Sequence, residues 1–144
     1  MKLTDLVLIP RVAIGPIRYG DAASSLLSIE GFEEIEPDPD YVIDSWYMND
    51  ELDVDVFFDD DTGKIARIVC GKALFFNNVN LIGLTLEDAE TLLQHKHEDA
   101  EFGIEMYEKG DLRDVYYLDE LGVTFWVKDG VIESVTADND ENDD

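Results

Sequence analysis

The sequence is most informative in what it lacks. It has a single cysteine, Cys70, so no intramolecular disulfide can staple the fold. Cys70 closes the apolar run "IARIVC", and a thiol among apolar neighbours reads as buried and structural rather than as a nucleophile, which wants a cationic setting. No stretch approaches the ~20 apolar residues of a membrane-spanning helix. The opening "MKLTDLVLIPRVAIG" has a short apolar run bounded by Asp5 and Arg11, with no small-residue cleavage site after it, so it does not read as a signal peptide. A reducing, cytoplasmic compartment is the expectation. Basic residues are the scarcest class. There are 10 Lys and Arg against 35 Asp and Glu, a formal net charge of -25. From Tyr19 to Gly63 there is no Lys or Arg at all, while 15 acidic residues fall in those 45 positions. This balance argues against direct nucleic-acid binding, which needs Lys and Arg surfaces, and against an anionic membrane surface. A single-sign field favours capture of a cationic partner.

Enough apolar sequence is present for a core: 45% of the 144 residues are hydrophobic and 10% aromatic. That suits one folded domain over 1–144, ending in the acidic tail 138–144, whose last seven residues, "DNDENDD", contain nothing apolar. Within the domain the chain resembles itself. Setting Gly20 against Gly83 places Leu26 on Ala89 and Ile29 on Leu92, and both segments read as short helices entered from a glycine turn. In the second, Thr85 is the expected N-cap, with Asp88 three residues on, and Leu86, Ala89, Leu92 and Leu93 make the apolar face. An aromatic pair follows in each half, Trp46-Tyr47 and Tyr116-Tyr117. Alternating strands come next, "LDVDVFF" and "LGVTFWV", then a turn with Asp and Gly, then "KIARIVC" or "VIESVTA". Period-2 alternation between turn signals is the pattern of a hairpin. The expected fold class is therefore α+β: an internal duplication of two αβββ units, repeat one over 12–71 and repeat two over 79–137, with antiparallel sheet carrying helices on one face.

Two stretches suggest metal. "FFDDDTGKIARI" (57–68) looks like part of a calcium loop. Placing Gly63 at loop position six puts Phe58 at position one and Val69 at position twelve, where carboxylates are required. Its counterpart in the second half is the short Asp129-Gly130 turn, so it reads as a hairpin turn. "HKH" (His95, Lys96, His97) has two histidines at i and i+2, which point to different sides of a helix, and Cys70 is the only soft partner. No metal site and no cofactor are expected. There is no phosphate-cradling glycine loop, nucleophile elbow or Ser–His or Cys–His frame, so no catalytic residue is assigned and an enzyme is the least supported class.

Along the strands, Leu52, Val54, Val56 and Phe58 form one face, and Leu121, Val123, Phe125 and Val127 the matching one. Phe57 and Trp126 fall at equivalent places on the opposite face, as aromatics that either support the sheet or anchor a partner. The expected partner-binding residues are Asp38, Asp40, Tyr41, Asp44, Trp46, Asp50, Glu51, Asp53, Asp55 and Trp126.

The motif "GLTLEDAETLL" (83–93), with its counterpart after Gly20, resembles the units of small duplicated bacterial proteins and, more distantly, the small lipoprotein of the outer-membrane barrel-assembly machinery. The chain has no lipobox cysteine near its start, so that resemblance does not imply membrane anchoring. As a small, strongly acidic, single-cysteine chain it also resembles, in type, the immunity proteins of contact-dependent growth inhibition and polymorphic toxin systems. That likeness implies a cytoplasmic protein that blocks the active site of a basic toxin domain, often a nuclease. The alternative expectation is a structural or assembly module that binds protein through its sheet.

Overall fold

The structure is a computed structural model, and it describes residues 1–36, 40 and 45–139. Three short strands open the chain: β1 (Leu8–Ile9), β2 (Ala13–Ile14) and β3 (Ile17–Arg18), paired antiparallel in that order. A 3₁₀ segment follows at Ala23–Ser28. An α-helix is the expectation here, and serine chemistry explains the difference. The Ser25 and Ser28 hydroxyls donate to the carbonyls of Ala22 and Ser25, three residues back, and Ala22 supplies no side-chain cap. Both features favour a tight local turn over the i−4 ladder.

Next come β4 (Phe32–Ile35), β5 (Trp46–Asn49), β6 (Val54–Phe58) and β7 (Ile65–Cys70). A two-stranded pair, β8 (Phe75–Phe76) and β9 (Val79–Asn80), leads to helix α1 (Leu86–Leu93). The chain then runs through β10 (Asp99–Glu105), β11 (Leu112–Leu118), β12 (Val123–Lys128) and β13 (Val131–Asp138). The Thr85 side chain caps α1 by accepting from the Asp88 N–H at 3.2 Å, as the sequence suggests. Glu87 and Asp88 sit in the first turn, where the helix dipole favours negative charge.

β4 to β7 and β10 to β13 are two antiparallel meanders that join edge to edge. The result is one eight-stranded sheet in the order β10-β11-β12-β13-β7-β6-β5-β4. The seam pairs Val135 with Cys70, Thr136 with Val69, Ala137 with Ile68 and Asp138 with Arg67. Each meander therefore has four strands, one more than the three expected. The added strands, β4 and β10, are the two edges. With only one neighbour they need little apolar alternation, and their sequences "FEEI" and "DAEFGIE" carry several carboxylates, a charge pattern that also discourages edge-to-edge aggregation.

Register sorts the side chains into faces. One row runs Asn49, Val54, Cys70, Val135, Phe125 and Tyr116 from β5 to β11, and the next runs Tyr47, Val56, Ile68, Ala137, Val123 and Leu118. Of these only Tyr116 is not fully buried. Against this face pack Leu6, Leu8, Ile14 and Ile17 of the N-terminal segment, Ala23 and Leu26 of the 3₁₀ segment, and Ala89 and Leu93 of α1, all in one continuous core. The fold is thus mixed α+β, with many antiparallel strands and little helix. Backbone bonds also fasten the first half. The Gly20 N–H donates to the Ile65 carbonyl, and Ala23 N–H to that of Gly63.

Candidate functional site

Among the described residues, no helix packs on the opposite face of the sheet, although Val115 and Arg113 on it are buried. Its central row runs Glu33, Met48, Asp55, Val69, Thr136, Thr124, Tyr117 and Asp99, one residue from each of the eight strands. Every member is half-buried or exposed, whereas the neighbouring rows on the other face are almost wholly buried. The contrast follows from the period of two: "LDVDVFF" and "VTFWVK" place apolar residues inward at every second position and leave a mixed set outward.

Aromatic side chains rise from this open face. Trp46 stacks on Phe57, ring centroids 6.3 Å apart and planes inclined by 22°. Its indole N–H donates to Asp55 Oδ1 at 3.1 Å. Asp55 loses solvent at this spot, which raises its carboxyl above the usual range. The bond from Trp46 opposes that shift, and the charges of Asp53 and Asp50 add to it. Trp126 donates from its indole to Thr136 Oγ1 at 3.1 Å. Phe57 and Trp126 line one groove of about 510 Å³, with Tyr117, Thr124 and Thr136 on its floor and Arg67 and Arg11 at its side. The sequence had set Phe57 and Trp126 at equivalent places, and in the fold they share this surface.

Two arginines in so acidic a protein were not anticipated here. Arg67 is paired directly across from Phe57 and reaches Asp138 at 3.7 Å. Arg11 donates to the Asp119 carbonyl and, at 3.5 Å, to that of Glu120. It thereby ties the N-terminal segment to the β11–β12 turn. Arg67 was legible in principle, because in "KIARIVC" it alternates with the buried Ile68 and Cys70. Arg11 was not, since its partners lie more than 100 residues away.

The expected binding residues divide among several places. Trp46, Asp55 and Trp126 lie on the open face. Asp50, Glu51 and Asp53 are exposed in the β5–β6 turn at one end of the sheet. There Lys72 donates to the Glu51 carbonyl at 3.0 Å. Asp53 takes a left-handed conformation, φ 53°. Asp40 is exposed, and Asp38, Tyr41 and Asp44 lie outside the described residues. Asp50, Glu51 and Asp53 therefore rim one end of the sheet, and Trp46 and Trp126 with Asp55 occupy its face.

The Asp59–Lys64 segment closes β6 to β7 as a hairpin loop. Asp59 N–H donates to the Lys64 carbonyl, Gly63 N–H to that of Asp59, and Asp59 Oδ1 accepts from the Asp61 N–H at 2.8 Å. The first of the three aspartates thus has a turn-forming role. Cys70 is fully buried, and burial, with smaller contributions from Asp53 and Asp55, pushes its thiol up to about 12. At neutral pH it is a packed, protonated side chain.

The two histidines depart from the sequence reading in one respect. They are not on the helix, which ends at Leu93 with Gln94 left-handed, φ 55°. They do point apart. His97 meets Glu90 Oε2 through Nδ1 at 2.7 Å and packs edge-on to Tyr116. His95 sits between two carboxylates: its Nε2 is 2.8 Å from Glu98 Oε1, and its Nδ1 is 3.7 Å from Glu120 Oε2. Desolvation works to raise the Glu98 carboxyl, but the His95 bond and the backbone N–H groups of Glu120 and Asp119 together hold it below the usual range. Sequence spacing could not bring Glu120 to this group, because it arrives on the β11–β12 turn.

Among the described residues no helix is long and apolar enough to cross a membrane. No protein-family model, curated protein or solved structure matches the chain.

Proposed function

We propose that this chain is a non-enzymatic binding protein that captures a cationic protein partner. Its mode of action is that of a cytoplasmic immunity protein, holding a basic toxin domain, of nuclease type, so that the toxin's active site is blocked. The observation that carries the reading is the aromatic-bearing face of the eight-stranded sheet, on which no helix packs among the described residues. Trp46, Phe57 and Trp126 stand on that face in a protein of net charge -25. Aromatic anchors among polar residues are the usual carriers of binding energy. The acidic turn of Asp50, Glu51 and Asp53, with Asp55 beside it, supplies the field that steers a positively charged partner. The test uses the protein encoded by the adjacent gene. Co-purification, with protection of cells that express it, is the expected result. A partner-free protein that leaves those cells unprotected would contradict the reading.

A second reading is favoured by Arg11 and Arg67. They make the groove less acidic than the rest of the surface, which suits a structural or assembly module that docks another protein's strand or helix by apolar contact. The two readings differ in kinetics. Steered capture loses association rate steeply between low and high salt, and apolar docking does not. Stopped-flow mixing at two ionic strengths separates them.

We also infer that the two halves, 12–71 and 79–137, descend from one duplicated unit. Each contains a helical segment followed by a meander, and Phe57 and Trp126 occupy the third strand of their own meander. Superposing β4–β7 on β10–β13 with Phe57 laid on Trp126 checks this. Helical segments falling on opposite sides would rule it out.

A further inference from the structure

We propose that His95, Glu98 and Glu120 form a binding site for a divalent first-row transition metal ion of the zinc(II) kind. Two separate pieces of chain supply the ligands: the α1–β10 connection gives His95 and Glu98, and the β11–β12 turn gives Glu120. One ligand atom from each residue lies within 4.8 Å of the other two. The geometry is held from outside the site. Glu98 Oε2 accepts the Glu120 N–H at 2.8 Å, so one ligand's carboxylate is fastened to the other's main chain. Zinc binds imidazole nitrogen at about 2.0–2.1 Å and carboxylate oxygen at about 2.0–2.2 Å, which places neighbouring ligands about 3.3–3.5 Å apart around a tetrahedron. With the ion on Nε2, His95 and Glu98, at 2.8 Å, would open by roughly half an ångström, and the exposed Glu120 carboxylate, which lies 3.7 Å from the other ring nitrogen, Nδ1, would swing toward Nε2.

The donor set narrows the ion. One imidazole and two carboxylates suit Zn(II), Mn(II) or Ni(II) and give no purchase to a soft ion such as Cu(I). Two carboxylate charges balance a divalent cation, and water completes the shell. The net charge of -25 raises the cation concentration at this surface. His97 is not a member, because Glu90 and Tyr116 hold it elsewhere.

The experiment is a calorimetric titration of the full chain with Zn²⁺ at pH 7.5, in millimolar Mg²⁺ to occupy unspecific carboxylates. One ion per chain is expected. His95→Asn and Glu120→Gln should each weaken binding at least about tenfold, and His97→Asn should leave it unchanged. Glu120 is largely exposed, so Glu120→Gln remains informative if His95→Asn unfolds. No zinc binding above the magnesium background overturns the proposal. So does wild-type affinity in Glu120→Gln, or equal losses in His95→Asn and His97→Asn.

Discussion

Gly122→Ala should be among the most damaging single-methyl changes in this protein. Gly122 immediately precedes β12 with φ 68°, a left-handed conformation that costs a side-chain-bearing residue about 1–2 kcal/mol. A Cβ there would overlap the Asp138 carbonyl oxygen and lie 3.1 Å from both Cδ and Nε of Arg11. The carbonyl belongs to the end of β13 and cannot swing away as a side chain can. Relief requires β13 to shift, which loosens the bond from the Asp138 N–H to the Gly122 carbonyl, 2.9 Å long and worth about 0.5–1.5 kcal/mol. The total is on the order of 2–4 kcal/mol, or roughly 5–12 °C in Tm for a chain of this length. Gly130→Ala is the control. It has φ 83°, and nothing lies within 4 Å of its added Cβ, so it carries the backbone strain alone, about 1–2 kcal/mol. Urea unfolding of both variants and the parent, compared at equal m-value, measures the difference. If Gly122→Ala costs no more than Gly130→Ala, the close packing of Arg11, Gly122 and Asp138 does not hold as described.

The open face and its charges give further expectations. Asp55→Asn should raise Tm at pH 7, by a few tenths to about 1 kcal/mol after screening by solvent, because the folded protein disfavours the Asp55 charge while an amide oxygen can still accept from Trp46. The sign follows from linkage. With the folded-state value raised, Asp55 costs stability as pH climbs from the unfolded carboxylate value through the folded one, so the gain from Asp55→Asn should vanish in melts below about pH 4. Glu98 behaves oppositely: its depressed carboxyl contributes stability at neutral pH that is lost on acidification, and Glu98→Gln should flatten that part of the pH–Tm curve. For the partner, Trp126→Ala should weaken the complex by about 2 kcal/mol or more, mainly through faster dissociation, as measured by surface plasmon resonance. Combined Asp50→Asn, Glu51→Gln and Asp53→Asn should instead slow association and reduce its salt dependence. An unchanged salt slope in that triple variant would remove the steering role of the turn.

What the sequence determined by itself was what depends on local period and turn chemistry. The alternation in "LDVDVFF" and "LGVTFWV" identified the buried faces, because inward and outward positions repeat every two residues whatever the strand pairs with. Thr85 announced the start of α1 by supplying an acceptor to an otherwise orphaned N–H. Cys70 in "IARIVC" identified itself as buried. The edge strands β4 and β10 were not legible, since a strand half covered and rich in carboxylates has no strong apolar rhythm. The apolar spacing of the 3₁₀ segment permits an α-helix equally well, and two serine hydroxyls decide between them. Only the tertiary structure could decide that β7 and β13 meet to make one sheet, with helices on one face alone among the described residues. Pairing between distant strands depends on long-range closure rather than on any local signal. The same closure brings Arg11 to Asp119 and Glu120 to His95, contacts between residues with no relation in sequence. It places Trp46, Phe57 and Trp126 on a single open surface beside the acidic end of the molecule.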